Sequence, residues 1–600
     1  MRRDSTASPG GGSGGGFPGG DLAMAGVLGL VLVPGLVLWV AGGLGALLIH
    51  GHWPPAPVSV APALTFGLRV HWADPGASWP PSARGLVPSA AVVYPIAALM
   101  IAALFGLVLA LRRRFGGGGH PGNAHRGNGL ARRGDLRASL SAKAVRERGA
   151  QVRPSLGRRG LRPAEVGLAL GRDAASGQAL WASLEDSFLV LGPPRSGKGI
   201  HLVIPGVIAA PGPAVVTSTR PDVLAHTAGA RPGPVEVFDP QGDTAWPNPL
   251  RWSPVTGCED ALVAILRAEG FATGAGFSGG TTDADYWTGS AAAVIRCYLH
   301  AAALGGRSMI EILDWAYRPS HPEPVRILRG AADAAPGWAD ALANLAGFEP
   351  ETRDGIWGGV QRAFDCFADP RVLAAVTPDP GEAFDAESFL AERGTLYVLG
   401  SARAQLSVAP LISALVEDVT ERAHRLANAS AHGRLDPPLS LWLDEAANIA
   451  PLPSLPYLLS AGGGSGISTV VVLQSLAQAR ARWGEHQAAA MWDASTVRVV
   501  LGGLGNADDL AAISRLAGEV DEETLSTSTG PGGASRSTSL RSVPVLAPER
   551  LRSLAPDRAV VLHRRTPPVE AVIAPWWDQA CASDVRASLD YTARIRAQRR

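Results

Sequence analysis

One segment of eight residues constrains this chain more than any other. Ser187-Phe188-Leu189-Val190-Leu191 has the short, apolar character of a buried strand. It runs directly into Gly192-Pro193-Pro194-Arg195-Ser196-Gly197-Lys198-Gly199, and an apolar, helix-like run from Ile200 to Ala210 follows. Strand, glycine-rich loop and helix in the spacing G-x-x-x-x-G-K make a phosphate-binding loop, in which backbone N–H groups cradle phosphates and the lysine reaches the β and γ phosphates of ATP. Gly192, Pro193, Pro194, Arg195, Ser196, Gly197, Lys198 and Gly199 are therefore the candidate nucleotide-binding residues, and Lys198 is also a candidate catalytic residue. Composition sharpens this reading: of 54 basic side chains only Lys143 and Lys198 are lysine. A compact ammonium on a slim stem is not replaced by arginine's planar fork, and a chain that avoids lysine keeps one here. The next position is Gly199 instead of Ser or Thr, so the usual hydroxyl ligand for Mg2+ is missing and a metal must lean on water or other side chains.

Such a loop needs parallel partners for its strand. Apolar runs at 213–217, 235–238, 394–399, 439–443 and 468–473 qualify, and together they predict an α/β fold with a mainly parallel, buried sheet. The run Leu439 to Leu443 ends in Asp444-Glu445, two carboxylates at a strand terminus, where this class of sheet places its ligands. Asp444 is the candidate ligand for hydrated Mg2+, and Glu445 the candidate group that orients and polarises the attacking water; alternatively, Asp444 caps the turn into Ala446-Ala447. The strand 469–473 ends at Gln474-Ser475. Gln474 is placed to sense the γ-phosphate or to position water, with helix capping by Ser475 the simpler use of that corner.

The N-terminal region reads differently. Leu22 to Ile49 and Gly85 to Leu111 are uncharged stretches, each longer than the roughly 20 residues that cross a bilayer. A cleaved signal peptide fits the first poorly, because the apolar run is too long and lacks a good cleavage site. Two transmembrane helices are expected. Arg112, Arg113 and Arg114 abut the second, while the loop between them carries only Arg69, Arg84 and Asp74, which places both termini in the cytoplasm. Residues 112–162 hold 14 basic and two acidic side chains, the pattern of a juxtamembrane tether for anionic lipid or, less simply, of a nucleic-acid contact. Residues 163–600 hold 36 basic and 48 acidic ones, so the body is acidic and not a surface coated in DNA. Cys258, Cys297, Cys366 and Cys581 are widely spaced, which argues against a disulfide framework or a structural zinc site.

The order of these motifs resembles the type IV secretion coupling proteins, the TraG/TraD-like conjugative ATPases. The pieces that match are the two apolar spans, Gly192 to Gly199 followed by His201-Leu202-Val203-Ile204-Pro205, Phe238-Asp239-Pro240, Leu441 to Glu445, and Gly462 to Ile467 ahead of Gln474. Arg541-Ser542-Val543 through Arg565-Thr566-Pro567-Pro568 extends the likeness to the C-terminal region. The resemblance implies a P-loop NTPase with an all-α domain inserted in it, assembled as a membrane-anchored homo-hexamer. It also implies ATP and Mg2+ as ligands, a DNA or relaxase–DNA substrate, and type IV secretion channel proteins as partners. Thr217 to Arg220 and Gly462 to Gly466 depart from the family pattern, the latter lacking an arginine. Arg480 and Arg482 remain the candidates for an arginine finger.

The expected organisation follows. A disordered N-terminus (1–21) precedes a membrane domain (22–111) and a basic Gly-rich linker (112–162). A first part of the nucleotide-binding domain (163–254), an all-α insertion (255–390), a second part (391–575) and a C-terminal tail (576–600) complete the chain. The Ser/Thr/Gly-rich stretch Thr524 to Ser539 is expected to be a mobile surface loop. Two other functions compete with a transfer motor: an FtsK-like DNA translocase, for which residues 570–600 are too short to hold a winged helix, and a membrane receptor that binds nucleotide without turning it over.

Overall fold

A computed structural model describes residues 19–67, 70–115, 129–157, 160–276, 284–379, 381–400, 405–530 and 533–597. The chain divides into two compact units, residues 1–124 and 125–600. In the first, helices Gly19–His50 and Ala90–Phe115 pack around a small cluster that includes Leu38, Leu64, Trp79 and Val93. Among the described residues no helix is long and apolar enough to cross a membrane. The parts of these two helices whose side chains are described, 34–50 and 90–103, are themselves shorter than a span.

The second unit is a mixed α/β body built on one eleven-stranded sheet. Its strands in chain order are β1 (Gly167–Asp173), β2 (Ala179–Ser183), β3 (Phe188–Leu191), β4 (Ala214–Ser218), β5 (Val235–Phe238), β6 (Thr395–Leu399), β7 (Leu439–Leu443), β8 (Ile467–Leu473) and β9 (Val497–Leu501). Two strands outside this sheet follow, β10 (Glu519–Gly530) and β11 (Gly533–Pro544), and then β12 (Arg558–His563) and β13 (Thr566–Val572) return to it. The spatial order is β2-β1-β13-β12-β9-β3-β8-β7-β4-β6-β5. From β9 to β5 every pairing is parallel; β12 joins β9 antiparallel, as do β13, β1 and β2 in turn.

The central strands are buried along their whole length, which is why they read as mostly apolar runs, with Ser440, Ser468 and Thr469 the polar exceptions among β3, β7 and β8. Their side chains alternate between two cores. Leu189, Leu191, Val215, Leu441 and Val471 face one, and Phe188, Val190, Val216, Trp442 and Val470 the other. Between β5 and β6 the described residues form helices and no strand, from Ala261–Ala275 to Ala386–Ala391. This helical segment shares the first core with the sheet. Helix Ala261–Ala275 lies on helix Gln405–Ala429, tied by a buried ion pair of 2.8 Å between Arg267 and Asp418.

Three segments differ from the reading of the sequence. Thr524 to Ser539 is not a loop but the outer part of a two-stranded ribbon, in which β10 and β11 pair from Glu519–Pro544 to Gly530–Gly533. Its Ser and Thr residues satisfy their backbone in a ladder, and β-branched Thr favours that geometry, so polarity alone misreads it. Much of the expected linker is folded: helices Arg133–Ser139 and Ala142–Val152 bury Leu136, Val145 and Val152, and Arg153 meets Asp436 at 2.6 Å. The expected tail contains helix Ala582–Ala597, held against helix Asp222–Thr227 by Ser588, whose hydroxyl donates to the Ala225 carbonyl at 3.0 Å.

Candidate active site

The loop Gly192 to Gly199 leaves the C-terminal end of β3, the middle strand of the eleven, which lies between β9 and β8. Gly192 donates its N–H to the carbonyl of Leu473, the last residue of β8, at 3.0 Å, and Ser196 closes a turn back to Pro193. Pro194 and Arg195 are exposed at the crest. Arg195 and Gly197 both take positive φ, 66° and 84°, so the loop alternates in the way that turns successive N–H groups toward a common point. Gly197 is doubly constrained, since a Cβ there would stand 2.5 Å from the ring of the buried His201. The helix opens with a π turn, Gly199–Val203, before Ile204–Ala209. A Cβ at Gly199 would meet nothing within 4 Å, so the missing hydroxyl is not excluded by crowding.

On neighbouring strands the other candidates converge. Lys198 Nζ lies 3.0 Å from Glu445 Oε1 and 3.8 Å from Asp444 Oδ1. Asp444 closes β7 with its carbonyl accepting from the Thr217 hydroxyl of β4 at 2.9 Å. Burial pushes its carboxyl up to about 6, against the pull of Lys198 and with the adjoining Glu445 and Asp222 charges adding to the rise. Glu445 sits in the left-handed region at φ 56°, a costly conformation for a residue with a side chain. From β8, the Gln474 amide donates to Glu445 Oε2 at 2.7 Å. Lys198, Asp444, Glu445 and Gln474 are thus assembled at one edge of the sheet.

Arg480 and Arg482 are placed elsewhere. Arg480 pairs with Asp509 at 2.9 Å, and Arg482 donates to the carbonyl of Gly274. One residue that the sequence reading passed over belongs to the cluster: Asn448, whose amide donates to Glu445 Oε2 at 3.0 Å. The only signal for it is its spacing of three from Glu445, within one helical turn.

The residues suit a phosphate-bearing ligand. Ser196 carries a buried hydroxyl without a partner inside the loop, between the two positive-φ residues Arg195 and Gly197. Among the described residues there is no group of three or more His, Cys, Asp or Glu able to hold a metal. A cation at Asp444 would therefore draw its remaining ligands from phosphate oxygens and water.

Comparison with known proteins agrees with this geometry. Residues 142–300 match the family described as type IV secretory system conjugative DNA transfer, and residues 438–556 match the TraM recognition site of TraD and TraG. The conjugal transfer protein TraG of Agrobacterium fabrum is 26% identical over 245 residues, covering 40% of this chain and 36% of that protein. The protein of the same name from Rhizobium radiobacter is 24% identical over 240 residues, 39% of this chain and 36% of its own length. The chain thus spans little more than a third of the curated relatives it matches. A solved structure of the bacterial conjugative coupling protein TrwBdeltaN70, in its unbound monoclinic form, shares the fold: its TM-score is 0.52 at 19% identity, over 72% of this chain and 92% of that one. Both stretches of the candidate nucleotide site, Gly192 to Gly199 and Asp444 to Gln474, fall inside the two family matches, so in both the chain is similar to the type IV secretion coupling proteins.

Proposed function

We propose that this protein is a membrane-anchored ATPase that takes DNA, as a relaxase–DNA complex, and drives it into a type IV secretion channel. The observation that carries the reading is the convergence of Lys198, Asp444, Glu445 and Gln474 from β3, β7 and β8 on one loop fitted to phosphates. Lys198 holds the β and γ phosphates of substrate ATP, and the backbone from Gly192 to Gly199 orients them. Glu445 accepts a proton from water through a carboxylate oxygen and aims that water at the phosphorus. Gln474 fixes the carboxylate. Asp444 would hold Mg2+ with water between, and the ion, when bound, neutralises charge on the phosphates. Assembly as a ring of six belongs to the same reading.

Anchoring by two spans, Leu22 to Ile49 and Gly85 to Leu111, with both termini cytoplasmic, is part of the proposal. It is supported by apolar side chains left in the open on the two N-terminal helices, among them Leu48 at 77% and Leu99 at 73% exposure. Arg112 to Arg114 give the orientation.

The test is ATP turnover by the full chain in detergent micelles, with and without single- and double-stranded DNA, beside Lys198→Ala and Glu445→Gln. Turnover that rises with DNA and is lost in both variants supports the motor. Nucleotide binding through Lys198 with no turnover on any DNA would establish the receptor reading instead.

A further inference from the structure

Glu445 has two carboxylate oxygens, and the fold treats them differently. Oε1 meets one partner, Lys198, at 3.0 Å. Oε2 takes two amide donors at once, Asn448 Nδ2 at 3.0 Å and Gln474 Nε2 at 2.7 Å. Only the NH2 end of an amide can face a carboxylate, so both orientations are fixed by chemistry. Lys198 is exchangeable, because bound phosphates attract the same ammonium. The two amides belong to the protein and stay.

The backbone explains how Asn448 arrives there. Glu445 at φ 56° turns the chain sharply after β7, and the short helix Ala446–Ile449 brings residue 448 back over residue 445. Asn448 donates its backbone N–H to the Glu445 carbonyl at 2.8 Å and its side-chain amide to the Glu445 carboxylate. Both contacts return to one residue, and that residue occupies a strained conformation that something must hold.

We propose that Asn448 is a positioning residue for the hydrolytic carboxylate. With Gln474 it anchors Oε2, so that Oε1 is the oxygen that works on water once phosphate has drawn Lys198 away. The inference rests on the ATPase reading above and adds to it which oxygen acts and what holds the other. Losing one charge-assisted donor leaves the carboxylate free to swing, which lowers turnover without touching the loop that binds nucleotide.

The experiment measures kcat and KM for ATP on the full chain in detergent for the wild type, Glu445→Gln, Asn448→Ala, Asn448→Leu and Asn448→Gln, with binding of a fluorescent ATP analogue as a check on folding. Leucine keeps the branched skeleton of Asn448 without a donor, and glutamine keeps the amide. The expected result is kcat lowered about 10-fold in both the alanine and leucine variants with KM and analogue binding within about two-fold of wild type, and partial recovery with glutamine. Wild-type turnover by Asn448→Leu would overturn the proposal, since it would reduce Asn448 to a space-filler. So would a rise in KM that accounts for the whole loss. A Glu445→Gln variant as active as the wild type, or a silent wild type, would instead sink the ATPase reading and this inference with it.

Discussion

Lys198 and Glu445 neutralise one another across two strands of the sheet, Nζ to Oε1 at 3.0 Å, with both side chains largely withdrawn from solvent at 12% and 14% exposure. The ammonium that should meet phosphate is already engaged, so nucleotide must displace a carboxylate to bind. The two states of this lysine link an internal ion pair to ligand affinity.

Removing each partner should then act in opposite directions on binding. Lys198→Ala loses a charged donor and should weaken ATP binding by about 10- to 100-fold. Glu445→Gln removes the competing charge and should tighten it by about five-fold, while abolishing turnover. Calorimetric titration with a non-hydrolysable ATP analogue separates the two, and equal weakening in both variants would contradict the competition.

Glu417 predicts a pH dependence of stability. It is fully buried on helix Gln405–Ala429, accepts from the Ser454 N–H at 3.0 Å, and burial pushes its carboxyl up to about 7, with the Glu269 and Glu421 carboxylates adding to the rise. The folded chain therefore holds a proton that the unfolded chain gives up near the ordinary glutamate value. Stability is fully present below about 4.5 and declines as pH rises through about 7. Glu417→Gln should stabilise the protein by about 3 kcal/mol at pH 8 and leave it nearly unchanged at pH 4.5. Urea unfolding at the two pH values gives the comparison.

How much of this was legible in the sequence depends on where each residue's partners lie. Leu439 to Leu443 was readable to the residue because a strand buried on both faces carries a mostly apolar run bounded by polar turns. Gly192 to Gly199 was readable because its whole signature, strand, glycine-rich loop and helix, lies in one local segment. The ribbon of β10 and β11 was not, since its stability comes from backbone pairing, with Glu519, Asp521, Glu522 and Glu523 giving no apolar alternation. Asn448 was not either: its place depends on a left-handed turn at Glu445, a residue type that gives no warning of positive φ. The antiparallel strands that extend the parallel core on one side come from two hairpins, β1–β2 and β12–β13, far apart in the chain and without a shared motif.

Asp186 should show the opposite pH behaviour. It lies in the turn before β3, buried, and desolvation alone would raise its carboxyl. His563 at 3.7 Å and Arg564 at 2.6 Å more than offset this and hold it down at about 2. Its contribution is present above the ordinary aspartate value near 4 and is lost as pH falls through about 2. Asp186→Asn should cost about 2 kcal/mol at neutral pH and progressively less in acid, measured by denaturant unfolding. A loss that persisted undiminished at low pH would assign the effect to shape instead of charge.

Gly206 makes the strongest steric prediction, and it joins the two halves of the site. It lies on helix Ile204–Ala209 behind the phosphate loop, and a Cβ there would fall 2.0 Å from Cη2 and 2.3 Å from Cζ2 of Trp442, on β7 two residues before Asp444. Neither side can yield cheaply, because the indole is buried among Val216, Val470 and their neighbours. Gly206→Ala should therefore destabilise the fold by about 3 kcal/mol and, by shifting either the loop helix or the end of β7, lower ATP turnover further than that loss of stability alone explains. Trp442→Leu opens the space that the methyl needs. If the clash is the cause, Gly206→Ala combined with Trp442→Leu should be more stable than the sum of the single effects by at least about 1 kcal/mol, with partial return of turnover. Simple additivity in unfolding and in kcat would mean that the helix and strand do not communicate through this contact.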